Sequence, residues 1–203
     1  MKRSHLMFGT WLFAIAVGCH NTPVMDYRPL DQAGMNSGTI DRLKPLNISD
    51  FELQQIVHLK NSGVSDDTCV TLISTAHDHK RSFSSSDSVA NLLNARYTES
   101  DVVTYAQADK LDTISGDAVM LRLIGLSDST VTAILQRDLQ GLPTISSAAI
   151  GRLKNTGVTE KQILELIAQG ITEQQAEAEA NSREAARNHA HTDFVRVRGR
   201  KPR

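Results

Sequence analysis

The sequence predicts an all-α protein, an array of four short helical hairpins followed by a carboxy-terminal Ala-rich helix. Three observations support this fold class. A four-residue turn signature recurs along the chain, the apolar residues on both sides of each turn follow the helical period, and successive helix caps lie 33, 29 and 32 residues apart. Spacing of this size is typical of proteins built from stacked supersecondary units.

The turn signature consists of a glycine, an apolar residue, a Ser or Thr, and an acid. Its copies are Gly63-Val64-Ser65-Asp66, Arg96-Tyr97-Thr98-Glu99, Gly125-Leu126-Ser127-Asp128 and Gly157-Val158-Thr159-Glu160. Glycine just past a helix end accepts the left-handed conformation, and the next apolar residue packs back on the helix that has ended. The hydroxyl caps a new helix, and the acid is favoured near the positive end of that helix dipole. Each copy therefore ends one helix and begins another.

The flanking residues give both helices of each hairpin an apolar face. The matching positions are Leu59, Leu92, Leu121 and Leu153 before the turns, and Cys69, Val102, Val131 and Ile163 after the caps. Because they recur at the helical period, we expect them to form the core of a hairpin-repeat domain over residues 48–170. Ser49 and Glu52 offer a capping box for the first helix of that domain.

The chain begins with MKRSHLMFGTWLFAIAVGC, in which a positive start precedes a short apolar run and small residues lead to Cys19. The apolar run of thirteen residues would reach only about 20 Å as a helix, which is too short to span a bilayer. The pattern resembles a bacterial lipoprotein signal peptide over residues 1–18. The resemblance implies diacylglyceryl transfer to the Cys19 thiol, cleavage between Gly18 and Cys19, and acylation of the new amino terminus.

The cellular location that this resemblance implies is the cell envelope, where the protein is anchored in the membrane through lipid on Cys19. His20 stands where Asp would imply retention at the inner membrane, so the outer membrane is implied if the cell has two membranes. Two alternatives remain open. One is an ordinary secretory signal whose cleavage point lies near Cys19, and the other is a cytosolic protein with an apolar amino terminus.

Residues 19–47 are expected to form the lipidated cysteine and a flexible tether. This polar stretch has no sustained period and contains several helix-breaking residues, namely Pro23, Pro29, Gly34, Gly38 and Pro45. A segment of this composition favours an extended, flexible chain. We therefore expect the folded part to begin near residue 48 and to stand clear of the lipid surface.

Two features depart from the repeat. Arg96 occupies the position that is glycine in the other three turns. Either it adopts a positive φ, at a cost of about 1 kcal/mol, or that turn has another shape. A further signature copy, Gly170-Ile171-Thr172-Glu173, is expected to start a ninth helix over residues 171–192. Its alanines are interleaved with charges and Glu179 can pair with Arg183, so we expect a half-solvated helix with a possible partner-binding face.

Charge is distributed unevenly along the chain. After residue 18, the last ten residues carry a net charge of +5 and the remainder carries −8. The basic residues of this end are Arg196, Arg198, Arg200, Lys201 and Arg203. We expect residues 193–203 to form a disordered basic tail that is either solvated or binds lipid phosphate, an envelope polymer or the acidic face of another protein.

The sequence contains no motif that predicts catalysis. It has no nucleophile elbow, phosphate-binding loop or metalloprotease histidine pair. His77-Asp78-His79 and His189-Ala190-His191 have alternating spacing, which can share a metal on an extended chain but not on one helix face. We therefore expect no enzyme, no cofactor and no bound metal. Cys69 is expected to be a buried small apolar residue.

Nucleic-acid binding is the strongest alternative from another class, because the turns resemble the helix-hairpin-helix module. That family usually needs a second glycine two residues after the first, where backbone amides approach a phosphate. The corresponding residues here are Ser65, Thr98, Ser127 and Thr159, each followed by an acid. Carboxylates at these places would repel phosphate, which argues against this alternative.

The function expected from these features is that of a non-enzymatic scaffold or protein-interaction module in the cell envelope. Stacked hairpins create an extended surface, which suits holding a partner better than enclosing a substrate. The alternatives are binding of an envelope polymer or anionic surface through the basic tail, and nucleic-acid binding by the turns. The expected partners are the membrane, through the lipid, and an envelope protein or polymer.

Overall fold

A computed structural model describes residues 25–198, with side chains up to residue 189, and confirms the all-α fold class over that range. The helices are α1 (Arg28–Gln32), α2 (Ser37–Leu43), α3 (Asp50–Asn61), α4 (Asp66–Asp78), α5 (Ser86–Asn94), α6 (Glu99–Gln107), α7 (Leu111–Leu123), α8 (Asp128–Leu139), α9 (Ser147–Asn155), α10 (Glu160–Ala168) and α11 (Glu173–Arg198). A short 3-10 helix, Lys44–Leu46, follows α2. Between residues 25 and 198, none of the helices has both the length and the apolar character needed to cross a membrane.

The first ten helices form five hairpins that stack side by side. Hairpin 1 consists of α1 and α2, hairpin 2 of α3 and α4, hairpin 3 of α5 and α6, hairpin 4 of α7 and α8, and hairpin 5 of α9 and α10. The first helices of the hairpins pack on one another in chain order, and α11 continues their layer beyond α9. In the second layer, α4 packs on α2 and α6, and α8 packs on α10. One continuous apolar cluster fills the array.

Each hairpin turn has the conformation that its residues favour. In hairpin 2, Gly63 has a φ of 84°, and the N–H of Val64 donates to the carbonyl of Leu59 at 3.1 Å. Val64 is buried, and Ser65 caps α4 by accepting a hydrogen bond from the N–H of Thr68. The corresponding caps of the other hairpins are Asn36, Thr98, Ser127 and Thr159. A Schellman turn followed at once by an N-cap thus reverses the chain within a few residues.

The turn of hairpin 3 keeps this shape although Arg96 replaces the glycine. Arg96 has a φ of 68°, and the N–H of Tyr97 donates to the carbonyl of Leu92 at 3.0 Å, as in the glycine turns. The first of the two alternatives that the sequence left open therefore applies. Arg96 adopts a left-handed conformation that costs a residue with a Cβ about 1 kcal/mol.

Residues 25–47 form hairpin 1, so the prediction of a flexible tether over 19–47 is wrong for this part. Leu30 and Leu43 are fully buried, and Met35 is nearly so. The segment therefore contributes to the core of the array, which between residues 25 and 198 has five hairpins instead of the predicted four. Cys19 and residues 20–24 lie outside the described residues.

The turn of hairpin 1 differs from the turn signature at two positions, and this explains why hairpin 1 is hard to find in the sequence. Its turn reads Gly34-Met35-Asn36-Ser37, with Asn at the cap and Ser in place of the acid. Gly34 has a φ of 82°, and Asn36 caps α2 by accepting from the N–H of Thr39. Two of the prolines that indicate a linker, Pro29 and Pro45, are compatible with the helices, because they lie within the first turn of α1 and of the 3-10 helix. Pro23 lies outside the described residues.

The last described helix, α11, packs on α9 in the place where the first helix of a sixth hairpin would lie. It packs on α9 through Ala176 and Ala180, and Thr172 caps its first turn by accepting from the N–H of Gln175 at 3.3 Å. Arg183 donates to Glu179 at 2.6 Å, one turn apart. The helix extends to Arg198, so residues 193–198 are helical and not part of the disordered tail that the sequence predicts. Residues 199–203 lie beyond the described range.

Candidate interaction surface

Two exposed apolar side chains mark the junction between hairpins 3 and 4. The residue two positions before the left-handed residue of each turn, which is glycine or Arg96, is an amide in hairpins 1, 2, 3 and 5. These amides are Gln32, Asn61, Asn94 and Asn155. In hairpin 4 this position is Leu123, whose exposed fraction is 73%. Leu123 is therefore a large apolar side chain that lies mostly in water, at a position where the other hairpins carry a polar one.

Met120 extends the same apolar surface by one turn of α7. It is 48% exposed, and the matching residues of hairpins 2, 3 and 5 are polar: His58, Asn91 and Arg152. Residues three apart on a helix are neighbours, so Met120 and Leu123 lie side by side. Hairpin 4 therefore presents an apolar stripe where hairpins 2, 3 and 5 present polar side chains.

A groove of about 460 Å³ lies beside Leu123, between the carboxyl ends of α5 and α7. One wall includes Asn91, Asn94 and Arg96, and the other includes Val119, Leu123 and Asp128. Clefts of this size accommodate small ligands or a few side chains of a partner. We call this feature the α5–α7 groove.

The α5–α7 groove has a rigid base. The guanidinium of Arg122 lies 4.3 Å from the centre of the Tyr97 ring, and its Nη1 lies 3.2 Å from a carboxylate oxygen of Asp128. The Tyr97 hydroxyl donates to the carbonyl of Ala118 at 2.9 Å, and its ring meets that of Tyr105 edge to face at 6.2 Å. Burial raises the pKa of Tyr97, which keeps this hydroxyl protonated. The stacked cation and rings hold hairpins 3 and 4 in register.

Arg96 supplies a positive charge at the rim of the α5–α7 groove. Its side chain is exposed and makes no hydrogen bond or ion pair with any side chain or carbonyl of the described part of the chain. The other charges in the groove, Arg122 and Asp128, form a pair with each other. The groove is therefore net positive on a protein body that is net negative.

The acids of the turn signature connect neighbouring hairpins. Glu99 of hairpin 3 accepts from the N–H of Ser65 in hairpin 2 at 3.0 Å and also from the Ser65 hydroxyl. Burial opposes ionisation of Glu99, but hydrogen bonds from Ser65 and Thr68 outweigh it and lower its pKa. The carboxylate therefore stays ionised and bonds the cap of the preceding hairpin.

The same contact recurs at two other junctions. Glu160 of hairpin 5 accepts from the hydroxyl of Ser127 at 2.5 Å, from the hydroxyl of Thr130 at 2.6 Å and from the N–H of Ser127 at 3.1 Å, and these hydrogen bonds lower its pKa. Asp66 of hairpin 2 accepts from the N–H of Asn36 at 2.9 Å. The backbone amides that a helix-hairpin-helix module would offer to a phosphate are thus occupied by carboxylates at these three caps.

The junction between hairpins 3 and 4 lacks this bridge. Thr98 is capped by Asp101 of its own helix, whose carboxylate accepts from the Thr98 N–H at 2.8 Å. Asp128, which occupies the signature position of the bridging acid, pairs with Arg122 instead. Among the four junctions between the five described hairpins, only the junction beside the α5–α7 groove lacks the carboxylate contact with the preceding cap.

Glu52 forms a second type of connection between hairpins, at the opposite end of the first helices. Its side chain is 3% exposed. One carboxylate oxygen accepts from the N–H and hydroxyl of Ser49, and the other accepts from the N–H of Phe83 at 3.0 Å and lies 2.8 Å from Nε2 of His77. Burial opposes its ionisation, but the hydrogen bonds from Ser49, Phe83 and His77 lower its pKa. The predicted capping box therefore also links hairpin 2 to the loop before hairpin 3.

Two of the residues considered for chemistry, His77 and Cys69, have structural roles. His77 bonds Glu52, and no group of three or more His, Cys, Asp or Glu side chains up to residue 189 is arranged to hold a metal ion. The side chain of His191 lies outside that range. Cys69 is fully buried, and burial raises its pKa to about 12, so it is a protonated core residue as predicted.

The predicted site residues fall into three groups. The caps and turn glycines lie along one edge of the array, where the chain reverses within each hairpin: Gly63, Ser65, Thr98, Gly125, Ser127, Gly157 and Thr159. Gly170 and Thr172 begin α11 instead. Gly18 and Cys19 lie outside the described residues, as do the side chains of the basic tail. Met120 and Leu123 were missed, although aligning the repeats would reveal them as apolar residues in polar positions.

Comparison of this chain with protein families, curated proteins and solved structures found no match.

Proposed function

We propose that this chain is a lipid-anchored protein of the cell envelope that acts as a non-enzymatic scaffold and holds a partner protein on its hairpin array. The observation that carries the proposal is the α5–α7 groove, where Arg96, Met120 and Leu123 all depart from the repeat. An exposed apolar surface beside a groove favours a binding function.

The departures at the α5–α7 groove have costs that folding alone does not explain. Leu123 places a large apolar side chain in water, where asparagine stands at the matching position of three other hairpins. Arg96 holds a left-handed φ where glycine would be unstrained. Strained residues and exposed apolar side chains that coincide at one place are typical of functional sites.

The proposed location in the cell envelope is based on the amino-terminal sequence, which resembles a lipoprotein signal peptide that ends before Cys19. Because the first helix begins at Arg28, only eight residues separate it from Cys19. A chain of that length reaches at most about 30 Å. A lipid on Cys19 would therefore hold the array close to the membrane surface, with its hairpins available to proteins of the envelope.

The carboxylates at three helix caps support a protein partner over a nucleic acid. Asp66, Glu99 and Glu160 occupy amides that a phosphate would need, and their charges repel it. Binding of an envelope polymer or anionic surface through the basic end remains the second candidate. The observation that favours it is that Arg196 and Arg198 belong to α11, the helix that packs on α9.

Substitution Cys19→Ser is expected to abolish membrane attachment. The wild-type chain, expressed in a bacterial host, should begin at Cys19, carry the mass of diacylglycerol and an acyl chain, and partition into the membrane fraction. The variant lacks the thiol that accepts the lipid, so it should be lipid-free. Intact-mass spectrometry and membrane fractionation of both forms provide the measurement. A lipid-free wild-type chain would contradict the proposed anchor, and an unprocessed cytosolic chain would favour the nucleic-acid alternative.

A further inference from the structure

We infer that the α5–α7 groove binds an acidic amphipathic segment of a partner protein, with a carboxylate on Arg96 and an apolar side chain against Leu123. The inference rests on the proposed scaffold function and names the chemistry of its partner. It follows from the charge, the apolar surface and the shape of the groove.

The charge of the groove selects an acidic segment. Arg122 and Asp128 neutralise each other, and Arg96 has no partner in the described range. A carboxylate placed between α5 and α7 would make the ion pair that Arg96 lacks, whereas a lysine or arginine would be repelled. Arginine is well suited to this role because its planar group binds a carboxylate through two parallel hydrogen bonds.

The apolar surface selects an amphipathic segment. Leu123 and Met120 offer two adjacent side chains, and Val119 lines the groove beside them. A leucine-sized side chain that covers Leu123 removes apolar area of both partners from water. The exposed amides of Asn91 and Asn94 stand on the opposite wall, where they can bond the backbone of a bound segment.

The groove is preformed, which lowers the entropy that binding would cost. The Arg122–Tyr97 stack and the Tyr97–Ala118 hydrogen bond fix both helices. The Schellman turn fixes the backbone of Arg96. A binding site of this kind needs little rearrangement on binding.

The test is a selection of random 12-residue peptides, displayed on phage, against the purified full chain in detergent. Selected peptides should combine an Asp or Glu with a Leu, Ile, Met or Phe within four positions. Synthetic copies are then titrated by fluorescence anisotropy. Leu123→Asn should weaken binding about tenfold or more, because it removes the apolar contact. Arg96→Gly should weaken it about threefold and reduce its dependence on salt.

Two matched variants separate binding from folding. Leu142 is exposed outside the groove, so Leu142→Asn should leave peptide affinity unchanged. Lys80 is a basic residue with a φ of 57° at the end of α4. Arg96→Gly and Lys80→Gly should both raise the Tm by about 2–4 °C, because each relieves a left-handed side chain. Of these two glycine variants, only Arg96→Gly should weaken peptide binding. Stability should therefore rise while affinity falls in Arg96→Gly, whereas Lys80→Gly should change stability alone.

Several results would overturn the inference. They are a selection that yields no binder, peptides without acidic residues, and affinities that Leu123→Asn does not change. A concentration-dependent dimer that Leu123→Asn dissociates would make a second copy of the chain the occupant instead. None of these outcomes bears on lipid attachment, which the mass of the Cys19→Ser variant tests separately.

Discussion

Substitution Glu52→Gln is expected to lower the free energy of unfolding by about 3 kcal/mol at neutral pH. The buried carboxylate accepts four hydrogen bonds through its two oxygens, from Ser49, Phe83 and His77. An amide has only one oxygen, and its NH₂ group would face donors. The measurement is urea unfolding followed by circular dichroism. Glu165→Gln is the control, because Glu165 is exposed and its Lys161 partner lies at 3.8 Å, so a change below about 0.5 kcal/mol is expected.

The effect of Glu52→Gln should depend on pH. The pKa of Glu52 in the folded protein lies below the ordinary value of 4.5. Its contribution is therefore complete above that value and is lost as the pH falls through the lower folded-state pKa. The difference between wild type and variant should shrink in acid. An equal loss for Glu52→Gln and Glu165→Gln at neutral pH would contradict the role of Glu52 as a link between hairpins.

Substitution Leu92→Ala is expected to lower the free energy of unfolding of the array by about 3 kcal/mol. Leu92 is fully buried in the middle of the stack, so the cavity lies between hairpins that contact neighbours on both sides. Leu30→Ala makes a cavity at the matching position of hairpin 1, where Leu30 is also fully buried. In a repeat protein, a terminal unit can unfold while the rest stays folded.

Hydrogen exchange distinguishes these two variants. Leu92→Ala should reduce protection across the central hairpins, whereas Leu30→Ala should reduce it mainly in residues 25–47. The wild-type chain should protect residues 30–43 against exchange, because they form hairpin 1. Rapid exchange of this segment in the wild type would restore the flexible tether that the sequence predicts.

Local signals in the sequence predicted most of the array. The glycine, the apolar residue and the cap of each turn are read within four residues, so the hairpins around Gly63, Gly125 and Gly157 were found. Hairpin 1 was missed because Asn36 and Ser37 alter the signature and its prolines indicate a linker. The predicted end of α11 lies too early, because the basic residues near Arg198 indicate a disordered tail although they are compatible with a helix.

The contacts between hairpins could not be predicted in the same way. The sequence indicates only that Glu99 lies near the positive end of its own helix dipole, whereas its hydrogen bond to Ser65 depends on a neighbour 34 residues away. Such a contact follows from stacking, which the spacing of repeats indicates but does not specify. The α5–α7 groove is an intermediate case. Arg96 was recognised as a departure, but Leu123 becomes informative only when its hairpin is compared with the others.

The most direct test of the scaffold places a photoreactive benzoylphenylalanine at Asn94 of the full chain in living cells. Asn94 lines the α5–α7 groove, and Asn61 has the matching position in hairpin 2, outside the groove. Irradiation should give an adduct of one discrete mass from position 94 and none from position 61. The adduct should vanish with Leu123→Asn and survive deletion of residues 194–203. Adducts from both positions, or loss of the adduct with the tail deletion, would contradict the claim that the array holds a partner at this groove.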